Sequence, residues 1–83
     1  MNENAQSGAT LELGKFVRTR RKAGKLSQRE LGELAGVGAR FVSELERGKP
    51  SMRLDAVVKV LAVFGKTLGV VDAAREGLND ENA

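Results

Sequence analysis

The chain carries fourteen lysines and arginines against eleven acids, with neither cysteine nor histidine, so any chemistry it performs must come from cations, carboxylates and hydroxyls. Thiolate nucleophiles, disulfides, an imidazole general base and the usual zinc ligand sets are excluded by that composition. Three short patterns imitate catalytic or nucleotide-binding devices and fail in detail. Gly36-Val37-Gly38 opens like a dinucleotide fingerprint, but the sixth position is Phe41 and no strand precedes it. Gly65-Lys66-Thr67 copies the end of a phosphate-binding loop, yet Val60 stands where the motif needs glycine, and the strand-like run lies on the wrong side. Glu44 and Glu46 are two apart, which on a helix sends them to different faces and denies them shared acid–base work. No catalytic residue, metal or cofactor is expected, and the chain does not read as an enzyme.

What remains is the distribution of charge. Residues 11–53 hold eleven of the fourteen cations and five of the eleven acids, a local +6 inside a chain of net +3. A basic face on a small domain is the electrostatic footprint of a polyanion, most often nucleic acid. The competing interpretation is a solvated face, or one that meets an acidic protein in a module without DNA.

The elements that would carry those cations follow from periodicity and punctuation. Residues 1–10 are small and polar without periodic apolar positions, and read as a flexible arm. A first helix is expected from Leu11 to Ala23, with Leu13, Phe16, Val17 and Ala23 inward and Gly24 as its left-handed stop. Ser27 and Glu30 have the spacing of a capping box, so a second helix starts there, carries Leu31, Leu34 and Ala35, and ends at Gly36. Its Gly32 is small enough to admit another helix at close range. After the corner Gly36-Val37-Gly38, a third helix runs to about Arg47 with Val42 and Leu45 inward. Two short helices joined at such a corner, Ser27 to Gly48, form the unit that most often enters a DNA major groove.

Pro50 breaks the pattern. Ser51 is the expected cap of a fourth helix, Met52 to Phe64, which presents Leu54, Val57, Val58, Leu61 and Phe64 and closes at Gly65. The run Thr67, Leu68, Gly69, Val70, Val71 leans to β structure, and a lone strand leaves its backbone groups unpaired. Pairing with the same strand of a second copy about a two-fold axis solves that, and 83 residues gain from the added core. The alternative is an extended segment lying over the core. The expected organisation is therefore an arm over 1–10, a helical domain over 11–65, a dimerisation strand over 66–72 and a flexible acidic tail over 73–83. No run approaches the eighteen or so apolar residues of a membrane span, and the opening MNENAQSGAT is unlike a signal peptide, so a cytoplasmic protein is expected.

The stretch from Leu13 to Asp72 resembles the Cro/C1-type, or XRE, helix-turn-helix family. The residues that carry the likeness are Leu13-Gly14, Arg21, Leu26-Ser27-Gln28, Glu30-Leu31, Ala35-Gly36-Val37, Val42-Ser43 and Leu45-Glu46-Arg47-Gly48-Lys49. Within it, Lys49-Pro50-Ser51-Met52-Arg53-Leu54, the helix that follows and the terminal strand are similar to HipB-type antitoxins. The resemblance implies an all-α, lambda-repressor-like domain of four to five helices, with a short C-terminal β-strand pairing across a dimer. It implies a transcriptional repressor that binds two-fold operator DNA at the nucleoid. In the antitoxin reading the protein also restrains a HipA-like kinase and represses its own promoter; a stand-alone phage-type repressor is the alternative.

Residue by residue, the resemblance places Gly38, Ala39, Arg40, Ser43 and Glu44 against base edges. Arg40 is the strongest reader, because a guanidinium can bond O6 and N7 of one guanine, although a phosphate contact would also suit it. Gln28, Arg47, Lys49 and Arg53 fall where the family contacts phosphates, with Arg18 and Lys25 as weaker candidates, and Gln28 also orients a neighbour on the recognition helix. Arg21 and Glu46 fall where members join the first and third helices by a salt bridge. Two departures stand out. Ala39 replaces a glutamine common in the family, which reduces readout there to a methyl contact with thymine or to nothing. Phe41 replaces a small polar residue and either wedges against bases or, as aromatic residues beside apolar neighbours more often do, packs on its own domain. Glu44 would repel phosphate unless it accepts from a cytosine or is held by an arginine, which makes it an element of specificity.

Overall fold

The computed structural model describes residues 2–73 of the chain, with side chains from Gly8 onward. Four helices follow one another: α1 over Asn2–Ala23, α2 over Gln28–Ala35, α3 over Ala39–Glu46 and α4 over Leu54–Val63. No strand occurs among the described residues.

All four helices stop in the same way. The residue after the last turn is left-handed and donates to the carbonyl three residues back, while the next amide reaches the carbonyl five back. Glycine supplies the left-handed residue after α2, α3 and α4, as Gly36, Gly48 and Gly65. After α1 it is Lys25, with φ 59°, and not the expected Gly24. The chain needs the left-handed residue one place later because the Leu26 amide must bond Arg21 O at 3.1 Å and the Lys25 amide Lys22 O at 3.0 Å.

The helix starts differ from expectation at two places. The first helix begins at Asn2 and not at Leu11, so residues 2–10 are not the unstructured arm that their polarity suggested. They contain no proline, and extending an existing helix costs far less than nucleating one. The last residue of the added segment is tied down, since Thr10 Oγ1 donates to Gly48 O at 2.8 Å. The fourth helix begins at Leu54 and is capped by Arg53, not Ser51. Met52, expected inside that helix, instead lies in the extended approach and packs against the core. The capping box on α2 is complete: Ser27 Oγ accepts from the Glu30 amide at 2.9 Å and Glu30 Oε1 from the Ser27 amide at 2.8 Å.

Val17, Leu31, Val42, Leu45, Val57, Val60 and Leu61 make the core. Periodicity anticipated most of them, missed Val60, and placed Leu34, Leu54 and Ala23 inward, where all three are exposed, Leu34 by 62% and Leu54 by 67%. The buried arc of α2 runs from Leu31 through Ala35 to Gly32, and at about 100° per residue Leu34 falls some 60° outside it. Leu54 keeps its spacing but is the first residue of its helix. At the outer edge of the α1–α4 contact, Phe16 and Phe64 meet edge to face with centroids 6.4 Å apart, and the Arg20 guanidinium lies over both rings.

Two glycines are required by close approach. A Cβ on Gly14 would lie 2.5 Å from Leu45 O and 2.8 Å from Glu46 O, so α1 and α3 meet backbone to backbone there. A Cβ on Gly32 would meet Val37 O at 2.8 Å and Ala39 N at 3.2 Å, so the space it frees is taken by the turn and the start of α3. Beyond α4, Leu68 packs on the core, whereas Val70 and Val71 are exposed and residues 67–71 form no strand pairing among the described residues. The expected acidic tail, after Ala73, lies outside the described residues.

Candidate nucleic-acid interface

The third helix has two unlike sides. Val42 and Leu45 are buried and Phe41 packs partly against the core, so this aromatic anchors α3 to its own domain. The opposite side presents Gly38, Ala39 and Arg40, all exposed, with Ser43 and Glu44 half-buried one turn on. Gly38 caps the helix with an extended backbone and no side-chain bond, which leaves its first turn open to a partner.

Hydrogen bonds join most of the candidate contact residues. Arg40 Nε donates to Glu44 Oε2 at 3.2 Å, and Lys49 Nζ donates to the other oxygen of the same carboxylate at 3.4 Å. Those two bonds, Arg40 first, hold the Glu44 carboxyl below the usual carboxylate range. Arg47 Nη1 donates to Ser43 Oγ at 3.3 Å. Arg53 stands apart from this group, forked onto Asp55 by Nε at 3.3 Å and Nη2 at 2.8 Å, and keeps that carboxyl low. Asp55 was not singled out from sequence, although an acid in the first turn of a helix two residues after an arginine is a readable signal.

Beneath this face lies the element that fixes it. Arg21 on α1 reaches Glu46 at the end of α3 through two bonds, Nε to Oε2 at 2.6 Å and Nη2 to Oε1 at 3.0 Å, and sends Nη1 to Leu26 O at 2.8 Å. Gln28 adds Nε2 to Glu46 Oε1 at 3.1 Å. Burial pushes the Glu46 carboxyl up, but the bonds from Arg21 and Gln28 with the charge of Arg21 outweigh it and leave the carboxyl below its ordinary value. The bond to Glu46 raises Arg21 in turn. One carboxylate thus gathers side chains from α1 and α2 onto α3, and the side chain of the third helix that Gln28 meets is Glu46, on the side facing the scaffold.

A short helix with a polar, cationic outer face, set across a three-residue glycine turn from a second helix and locked by a buried ion pair, is the helix-turn-helix DNA-binding geometry. The chain belongs to the Helix-turn-helix family, which it matches over residues 17–71, and it is an HTH-type transcriptional regulator. It is 40% identical over 60 residues to the uncharacterized HTH-type transcriptional regulator y4mF of Sinorhizobium fredii, which covers 72% of this chain and 79% of that protein. An uncharacterized HTH-type transcriptional regulator of Haemophilus influenzae is 33% identical over 69 residues, 83% of this chain and 70% of that one. Among solved structures, a chain of a toxin-antitoxin module from Streptococcus pneumoniae superposes with a TM-score of 0.72 at 35% identity, covering 89% of this chain and 81% of that one. No described helix is long and apolar enough to cross a membrane.

Proposed function

We propose that this regulator is a homodimeric repressor and the antitoxin of a toxin-antitoxin operon. It reads its own promoter through α3 and restrains a toxin, for which a HipA-like kinase is the expected partner. The observation that carries the DNA half is the outer face of α3: Arg40 projects into solvent from a helix whose other side is fully committed to the core. Gly38, Ala39, Arg40, Ser43 and Glu44 then lie along the groove, while Gln28, Arg47, Lys49 and Arg53 meet phosphates. The antitoxin half is supported by the likeness to a chain of a toxin-antitoxin module. A chromosomal target puts the protein in the cytoplasm, at the nucleoid.

Dimerisation is assigned to residues 67–71. Their exposed valines, and backbone that forms no strand pairing among the described residues, suit antiparallel pairing with the same segment of a second copy, and a two-fold operator then asks for two α3 helices one helical turn of DNA, or a multiple of it, apart. Titration of the protein with its upstream DNA at several salt concentrations tests the repressor: tight binding that falls steeply with salt and resists competitor DNA is expected. Binding no better than to random duplex sinks it and favours a protein-interaction module. Val70→Pro should yield monomers by sedimentation, and a dimeric variant contradicts the strand assignment. A kinase-like reading frame beside this gene supports the toxin partner; its absence favours a stand-alone repressor.

A further inference from the structure

Glu44 is a poor residue for holding DNA and yet the best-connected one on the outer face of α3. A carboxylate beside two cations cancels part of the charge available to phosphates, so it cannot serve non-specific affinity. Its geometry suggests another use. The carboxylate is 18% exposed, anchored from one side by Lys49, and takes Arg40 through Nε, while the Arg40 side chain is 89% exposed. Among the described residues nothing bonds either Nη of Arg40. The bond to Nε restricts rotation about the last torsions of a long side chain and leaves the two Nη groups as an outward fork, the donor pair that fits O6 and N7 of guanine. An arginine without such a partner loses more rotamer freedom on binding and can turn sideways onto a phosphate instead.

We infer that Glu44 is a positioning residue that presents the Arg40 fork to a guanine and lowers binding to DNA of any other sequence, and that it does not read a base itself. This rests on the assignment of α3 as the reading helix. It differs from a direct role, in which the carboxylate accepts from a cytosine amino group, because in that case its contribution is independent of Arg40.

The test uses duplexes enriched by the full-length protein from a random-sequence library, with each base pair of the enriched site then replaced in turn. Binding of the wild-type protein, Arg40→Ala, Glu44→Ala, Glu44→Gln and the double variant Arg40→Ala/Glu44→Ala is measured on these and on unselected duplex, after circular dichroism shows that each is folded. Arg40→Ala should reduce the preference for one G·C pair by roughly ten- to a hundredfold, the worth of a bidentate arginine–guanine contact. Glu44→Ala should remove most of the same preference at the same pair and tighten binding to unselected duplex, with a salt slope steeper by about one. Glu44→Gln, which keeps an acceptor for Nε, should retain part of the preference while still tightening unselected binding. In the Arg40→Ala background Glu44→Ala should change no base preference. Glu44→Ala with full preference, or a loss that persists without Arg40, overturns the positioning role while leaving the DNA reading intact. If Arg40→Ala keeps the preference, the choice of reader is wrong and this inference goes with it. A library from which the wild-type protein enriches nothing overturns the DNA reading itself.

Discussion

Truncation of Glu46 to alanine is the sharpest test of how the reading helix is held. It removes three hydrogen bonds, two from Arg21 and one from Gln28, and leaves the Arg21 guanidinium with the Leu26 carbonyl as its remaining partner in a site where its side chain is 11% exposed. Breaking one side of a buried pair costs about 3 to 5 kcal/mol, because the stranded charge stays desolvated. Arg21 touches solvent at one edge, so water relieves part of that cost and the lower end, about 3 kcal/mol, applies. A domain of this length holds about 4 to 12 kcal/mol in total, so the loss is a large share of its stability. The melting temperature should fall by at least about 12 °C. The chain has no tryptophan, so unfolding is followed by far-ultraviolet circular dichroism in urea, where the midpoint should drop with an unchanged m-value. Arg21→Leu/Glu46→Leu should recover most of the deficit, short of the bonds lost by Leu26 O and Gln28, and so exceed either single variant. A loss below about 1 kcal/mol in Glu46→Ala, on the same scale as an exposed pair, would falsify the view that this carboxylate locks α3.

The same carboxyl gives a pH signature. Its folded value is depressed, so its contribution is complete above the unfolded glutamate value of about 4.3 and is lost as pH falls through the lower folded value. The stability difference between wild type and Glu46→Gln should therefore shrink on acidification through that window, and a difference flat with pH argues against the pair. Gly14→Ala should destabilise by about 1 to 3 kcal/mol despite the better helix propensity of alanine, because the new methyl meets the α3 backbone. Gly8→Ala, whose Cβ meets nothing, should instead gain up to about 1 kcal/mol, and equal effects at the two sites contradict the close approach. Lys25→Gly should stabilise by about 1 kcal/mol, by relieving a left-handed lysine, and so raise the urea midpoint. Lys49→Ala should weaken all duplexes alike, whereas a change of base preference would assign it to readout.

The parts of the fold that could be read beforehand share a physical property: they depend on residues within one or two helical turns. Ser27 and Glu30 specify a helix start between themselves, Gly36 and Gly65 specify stops through their own backbone freedom, and the pattern of Val42 and Leu45 orients α3. The HTH frame, its turn and the outward position of Arg40 follow from these local signals. The likeness to a known family supplied the Arg21–Glu46 pair, which lies 25 residues apart and has no local signature.

By itself, then, the sequence determined where the helices of the reading unit begin and end, that a basic segment surrounds them, and which side chains α3 offers outward. Only the tertiary structure decided that Leu34 faces solvent although it keeps core spacing, that Gly14 and not a larger residue must sit under Leu45 and Glu46, and that the left-handed stop of α1 falls on Lys25. It also decided that Glu44 is held between Arg40 and Lys49 rather than standing alone in the groove. Periodicity and capping are set by neighbours in the chain, whereas the buried side of a stripe and the clearance above a glycine are set by what another segment brings against it; the stop at Lys25 and the Arg40–Glu44–Lys49 cluster, though made within five residues, depend on backbone and rotamer choices that spacing leaves open.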